Sequence, residues 1–471
     1  MKKVSKIVAL LCMVALIFGA VACAGPTTAD PVAPPPPPPP PPPAPEAPAA
    51  PEAPAADGPV DIVFSLWGDE AELEGAIATA EIWNEMQDTS HLSVMQIPVE
   101  QYIERLMAMA TAGNMPDCGM DNERGVIGMS RDGLLMKFDL YAGQPERPLE
   151  SVTFRDGGEY VAASIGAEVL GLWFNRDMFD EAGVDYPPTK LEDAWTWDEF
   201  IEVAKQLTFD ANGNTPNDAG FDKDNIVQYG AYVNQWAWQL EVWALSNGGR
   251  WYSEDGTRAV FDDAAIEAMQ KVFDLHLVHN VAPFNPAQAD DGWFDSVGAG
   301  NVAMCTEGQW ATGFAAFSDI NYGCGVLPYM EVKANITAGG PVGIYAGSNH
   351  PEEAGEFLRW YSDPENNFAP IYDGWIMPNL LSWYTDEALL KRWIDEVPNR
   401  ARLNAEDYRS VFADVIMNND VTKPTGWYYT PNTDKIDVIL IPALVEAING
   451  TKTAKEVIES VRPALEAAIA G

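Results

Sequence analysis

Trp67, Trp236, Trp238, Trp243, Trp310, Trp375 and Trp427, the last followed by Tyr428-Tyr429, read as loop or strand-end residues. An indole face packs against flat C–H surfaces, and a neighbouring Asp, Glu, Asn or Gln can bond a rim of hydroxyls. This combination suits holding a ring-shaped polar ligand. Bond cleavage is less well provided for. Glycoside hydrolysis needs two carboxyl groups at a set separation. With 70 acidic residues such pairs are unremarkable, and none sits in a catalytic motif. Thiol and zinc chemistry fare no better. Of the five cysteines, Cys118, Cys305 and Cys324 lie in short apolar segments without CxxC spacing, and the chain has only four histidines. Buried free thiols are the expectation, with a Cys305–Cys324 bridge as the alternative. One loop could take a cation. Asp210, Asn212, Asn214 and Asp218 place oxygens as a calcium loop does. Yet Thr215 stands where such a loop needs glycine, and Phe221 where it needs a bidentate glutamate. An Asx-turn loop fits the same residues.

The elements that must position these side chains start after a leader. Lys2, Lys3 and Lys6 precede an apolar run from Ile7 to Ala22, too short to span a bilayer, and the pattern is that of a secretory signal. Ala20-Val21-Ala22-Cys23 resembles a lipobox, which implies cleavage before Cys23 and a diacylated cysteine holding the chain to the membrane. Residues 23–59 are mostly Pro, Ala, Glu and Asp, and Pro34 to Pro43 is unbroken. Such a run stays extended, and at about 3.1 Å per residue it sets the next domain roughly 30 Å from its tether. Charge then narrows the partners. The chain carries a net −42, and losing the three leader lysines makes it more acidic still. That surface repels nucleic acid and anionic lipid.

From residue 60 to 471 the pattern is strand, helix, strand, helix, strand. Asp61 to Leu66 reads as a buried strand, Ala71 to Met86 as a helix, Leu92 to Pro98 as a strand. Val99 to Ala112 reads as a helix stopped by Gly113-Asn114, and Asp117 to Met120 as a third strand. That order makes a parallel sheet covered by helices, whose ligands sit at the carboxyl ends of strands. Ala163 to Phe174 is a second β-rich region. Further helices are expected at Asp198 to Leu207, Asp263 to Val278, Pro351 to Tyr361, Lys435 to Ile448 and Ala454 to Ile469. The length suits two α/β lobes.

Four segments carry a resemblance. Ala112-Gly113-Asn114-Met115-Pro116-Asp117 precedes the third strand. Leu172-Trp173-Phe174-Asn175-Arg176-Asp177-Met178-Phe179 is followed by Glu181-Ala182-Gly183, Pro187-Pro188 and Trp197-Asp198-Glu199-Phe200. Asn301 to Trp310 and Gly339 to Ala354 complete the series. In this order they resemble the large extracellular solute-binding lipoproteins of ABC importers that handle sugars. The resemblance implies a two-lobed periplasmic-binding-protein-like α/β fold with hinge segments and a cleft between lobes. Lobe 1 would take about 60–165 plus 341–400. Lobe 2 would take about 169–338 plus part of 400–471. It also implies a sugar passed to the transmembrane subunits of an ABC permease by a monomer; the several tryptophans suit an oligosaccharide more than a monosaccharide, and the acidic surface, with Arg124 the one basic residue beside the first-lobe loop, suits a neutral one. No cofactor and no enzymatic role are implied. By position, Trp67 and Asp69 match the first-strand loop of the family, and Asp121, Asn122 and Glu123 the loop after the third strand. Trp236, Trp238, Trp310, Trp375 and Trp427 complete the implied ligand set. A receptor that reports ligand to a membrane sensor would share every one of these features, and a carbohydrate-active enzyme many of them.

Overall fold

Val60–Leu66 (β1) is mostly apolar and pairs in parallel with Ser90–Gln96 (β2) on one side and Cys118–Met120 (β3) on the other. This is a computed structural model, and it describes residues 58–67, 70–98, 101–121, 126–284, 297, 299–316, 318–366, 371, 374–430 and 432–470. The leader, Cys23, nearly all of the proline-rich segment, Asp69, Asn122 and Glu123 lie outside those residues. From Ala56 onward the chain forms one compact unit.

Two sheets organise that unit. The first runs β2-β1-β3-β12-β5-β4, adding Thr153–Asp156 (β4), Glu159–Ser164 (β5) and Pro341–Ile344 (β12). Helices Glu70–Met86 and Tyr102–Ala112 cross between its parallel strands, and the second ends on Gly113 at φ 71°, where a side chain would be strained. Phe64, Trp83, Phe357 and Tyr361 pack edge-on and stacked beneath the helix Pro351–Ser362.

The second sheet runs β13-β11-β6-β9-β8-β7, with β10 also paired to β6. Its strands are Glu168–Asn175 (β6), Phe209–Asp210 (β7), Ile226–Val233 (β8), Val302–Gly308 (β9), Tyr322–Gly325 (β10), Asn335–Ala338 (β11) and Thr422–Pro424 (β13). Side chains of β6 alternate between two cores, as a pleated strand requires. Leu170, Leu172 and Phe174 face a core shared with Phe200, Phe273 and Leu440. Trp173 faces the other way and stacks on Phe412 at 5.7 Å. Thr196 and Glu199 form the expected capping box on the helix Trp197–Gln206, worth about 1 kcal/mol.

Cys305 and Cys324 are not bonded. Both pair with Trp173, from opposite edges of β6. Two ladder spacings of about 4.8 Å separate them, beyond the roughly 7 Å that a disulfide spans.

The chain passes between sheets three times, the first two along adjacent antiparallel tracks. β5 ends at Ser164 and β6 starts at Glu168; β11 ends at Ala338 and β12 starts at Pro341. Ile165 N–H donates to Gly340 carbonyl across the tracks at 2.9 Å. A Cβ at Gly339 would meet the Gly166 carbonyl oxygen at 2.6 Å, so the close approach requires glycine. Met377 lies alongside, exchanging two backbone hydrogen bonds with Ala167. The sequence assigned 341–400 as a block to lobe 1. Residues beyond about 380 pack on the second sheet instead: Trp393 contacts Tyr408, and Tyr408 contacts Phe412 over Trp173. Helical pattern alone could not say which sheet the amphipathic helix Glu387–Arg400 would cover.

Candidate functional site

The site lies where the carboxyl ends of parallel strands in both sheets open. In the first sheet, β1 and β3 align Phe64 with Cys118, and the same register carried forward sets Asp121 beside Trp67. Trp67 is partly exposed, and its indole N–H is buried without a hydrogen-bond partner. Asp121 is wholly buried, and neither carboxylate oxygen has a hydrogen-bond partner of normal geometry. Burial pushes its carboxyl well above the usual range, and the Tyr345 hydroxyl beside it pulls the other way. Behind it, the hydroxyls of Ser65, Tyr102 and Tyr345 bond one another at 2.7 to 3.2 Å.

In the second sheet, β8 and β9 are parallel and end at Val233 and Gly308. Helix Ala237–Ser246 follows β8, with Trp236 at its N-cap and Trp238 in its first turn. Sequence reading had placed Trp236, Trp238 and Trp243 in loops; the latter two are helical, and Trp243 is core. The helix is apolar on nearly all sides, so periodicity did not reveal it. Trp236, Trp238 and Trp310 form a row, with ring centroids 6.3 and 5.9 Å apart. Each is partly exposed. Trp310 folds back over Gly308, where a Cβ would sit 1.9 Å from its ring. Trp67 and Trp238, from opposite lobes, belong to one apolar cluster with Tyr102, Val126, Phe154 and Tyr428.

The remaining implied ligand residues fare differently. Trp375 lies edge-on to Phe314 at 4.9 Å, against the helix Ala311–Ala316 that follows Trp310, rather than in the row. Trp427 is 4% exposed and packs in the second-lobe core, so it offers no open face. Its neighbours do the bridging. Tyr428 hydroxyl donates to the Gly339 carbonyl and accepts from the Gly339 N–H, each at 2.8 Å. Tyr429 hydroxyl donates to Thr153 carbonyl and the ring stacks on Phe154. From the other side Glu241 holds this segment, accepting from Thr425 hydroxyl at 2.6 Å and from Gly426 N–H at 3.0 Å. Burial pushes the Glu241 carboxyl up to about 7, against the pull of these hydrogen bonds.

The Asp210 loop holds itself together as an Asx-turn loop does. The Asp210 carboxylate accepts from the backbone of Asn212, Asn214 and Asp222 and from the Asn214 amide. Burial would raise its carboxyl, but those donors outweigh it and hold the group well below the usual range. Asp218 likewise caps Thr215. Among the described residues no acid, His or Cys cluster could hold a metal.

Sequence reasoning missed three polar residues at the second-lobe rim. Gln235, Gln239 and Glu307 are buried beside the tryptophan row, and the carbonyl oxygens of both glutamines lack a partner. Their position next to Trp236, Trp238 and Gly308 was the available signal. A groove of about 620 Å³ also opens between Arg155 of β4 and Arg250 to Gly256, reaching Tyr429. Arg155 and Arg250 are already paired there with Glu150 and Glu254. The tryptophan row does not line that groove.

Two sheets, paired crossings and an aromatic cleft define a two-lobed binding protein. The chain belongs to the bacterial extracellular solute-binding protein family, whose model matches residues 67–368. It is similar to an arabinooligosaccharide-binding protein of Halalkalibacterium halodurans, 26% identical over 38% of this chain and 33% of that protein. It is also similar to an sn-glycerol-3-phosphate-binding periplasmic protein of Brucella abortus, 28% identical over 41% of this chain and 42% of that one. The chain thus spans about a third to two fifths of the length of these relatives. Solved structures match over nearly the whole domain. An ABC substrate-binding protein from Listeria monocytogenes in complex with cycloalternan is 19% identical, with TM-score 0.67 over 86% of this chain and 98% of that one. A maltose-bound Thermotoga maritima protein is 18% identical, with TM-score 0.64 over 86% and 99%. At these identities the match shows the two-lobed fold.

Proposed function

We propose that this protein captures a neutral sugar, an oligosaccharide in preference to a monosaccharide, outside the cytoplasmic membrane and delivers it to an ABC permease. The carrying observation is the Trp236–Trp238–Trp310 row. Three partly exposed indoles about 6 Å apart offer several ring-sized platforms. The unpartnered polar atoms around it decide the charge of the ligand. Gln235 and Gln239 have unpartnered carbonyl oxygens, which call for hydrogen donors. Sugar hydroxyls donate; a phosphate or carboxylate needs Arg or Lys instead. This reading therefore sides with the oligosaccharide-binding relative over the glycerol-phosphate-binding one. Trp67 would meet the ligand from the first lobe, Asp69, Asn122 and Glu123 would add polar contacts to it, and Trp375 would flank it. The protein acts as a monomeric receptor without catalysis. Cys23 carries the lipid, and residues 24–59 form the tether.

Calorimetry against maltotriose, mannotriose, arabinotriose and glycerol 3-phosphate tests the proposal. At least one neutral sugar should bind, and Trp238→Ala should weaken it by about 1–3 kcal/mol. Binding of glycerol 3-phosphate alone would overturn the ligand class.

A further inference from the structure

Glu307 is wholly buried at the end of β9, one residue before the glycine over which Trp310 folds. Its carboxylate accepts from Asn234 Nδ2 at 2.9 Å, from Gln239 Nε2 at 3.1 Å and from the Gly308 N–H at 2.9 Å. Asn234 passes the constraint on: its Oδ1 accepts from Trp236 N–H at 3.0 Å, and its own N–H donates to Thr306 hydroxyl at 3.1 Å. Both amides turn their NH₂ groups toward Glu307, whose two oxygens accept from all three donors. Asn234 then has its oxygen on the backbone of Trp236. Gln239 is left with its oxygen pointing away from Glu307 and unpartnered.

We propose that Glu307 is the positioning residue of the second-lobe wall, fixing Trp236 and Trp238 through Asn234 and Gln239. By the same bonds it makes Gln239 an acceptor, so the wall selects a ligand that donates hydroxyl hydrogens. The second half rests on the sugar-binding reading above; the first does not. Glu307 need not touch ligand. It sets the polarity of a residue that sits next to Trp238, and it shares its four-residue run with Trp310. An amide at 307 would have to point its NH₂ at Asn234, or at Gln239 and Gly308 together, which breaks the arrangement.

Reversing the pair tests this. Glu307→Gln should leave either Asn234, or Gln239 and Gly308 together, facing a donor. Combining Glu307→Gln with Asn234→Asp lets the amide introduced at 307 donate to a carboxylate at 234, whose other oxygen still accepts from Trp236 N–H, while the oxygen at 307 still accepts from Gln239 and Gly308. The indole N–H resonances of Trp236 and Trp238, assigned by Phe substitution, are read first without ligand. Both should shift in the single variant and return in the double, while Trp393, on the far side of the sheet, stays put. Affinity for whichever of maltotriose, mannotriose or arabinotriose the wild type binds should fall about 10-fold in the single variant, and recover to within about 3-fold in the double. Unmoved resonances in the Glu307→Gln variant would overturn the positioning role. A shift that the double variant does not reverse would overturn it too, by marking Glu307 as mere packing. If the wild type binds no neutral sugar, the ligand reading and the hydroxyl preference both fail, and the resonances still decide the positioning role.

Discussion

Glu241 should make the stability of this protein fall as pH rises through neutrality, and the size of the effect follows from its surroundings. The carboxyl is fully enclosed, and its pKa moves from 4.5 to about 7 on folding. A difference of about 2.5 units corresponds to about 3 kcal/mol. The sign is set by which state holds the proton. Between pH 4.5 and 7 the folded protein keeps Glu241 protonated while the unfolded chain has lost that proton. The contribution is thus complete below about pH 4.5 and is lost as pH climbs through about 7. Glu241→Gln keeps a carbonyl for Thr425 and Gly426 and cannot ionise. Urea unfolding of both proteins at pH 4, 5, 6, 7 and 8 gives the wild-type-minus-variant difference, in which every other titrating group cancels. That difference should decline by about 3 kcal/mol across the series. A flat difference would refute the reasoning and mean that the hydrogen bonds from Thr425 and Gly426 offset the burial. The site would feel the change as well, because Glu241 ties the helix bearing Trp238 to the segment that clasps Gly339 through Tyr428.

Gly308→Ala should push the Trp310 ring off its seat, since the new Cβ would lie 1.9 Å from it; sugar affinity measured by calorimetry should drop at least about 10-fold, with little loss of helix by circular dichroism. Trp427→Ala should act on stability instead, lowering unfolding free energy by about 3–5 kcal/mol in urea, because its ring is core. Cys118, Cys305 and Cys324 should all react with a thiol reagent after denaturation without reductant, and a mass two hydrogens short would contradict the strand order. Calcium at millimolar concentration should leave the melting temperature unchanged, whereas a rise abolished by Asp210→Asn would restore the calcium loop.

Local signals in the chain were enough for much of the fold. Thr196 and Glu199 sit three apart and cap a helix wherever that helix is packed, and Gly113 stops one because only glycine takes its backbone angle without strain. The strand–helix order from Val60 to Met120 likewise forces a parallel sheet and puts Trp67 and Asp121 at its open end. The tryptophan row was legible as a set of residue types, since indoles beside polar side chains already state a binding chemistry. Which of them face the cleft was not. Trp427 and Trp238 look alike in sequence, yet one is core and the other is rim: both helices pack on the second-lobe core, but Trp427 is buried within it and Trp238 lies partly exposed at its edge. Glu307 was equally silent: its partners, Asn234 and Gln239, lie about seventy residues away and meet it only because β8 and β9 end side by side. Spacing along the chain reports what one element does with its own backbone. Contacts between elements depend on how whole surfaces pack, and only the assembled sheets decided which buried oxygens and which indole faces were left for a ligand.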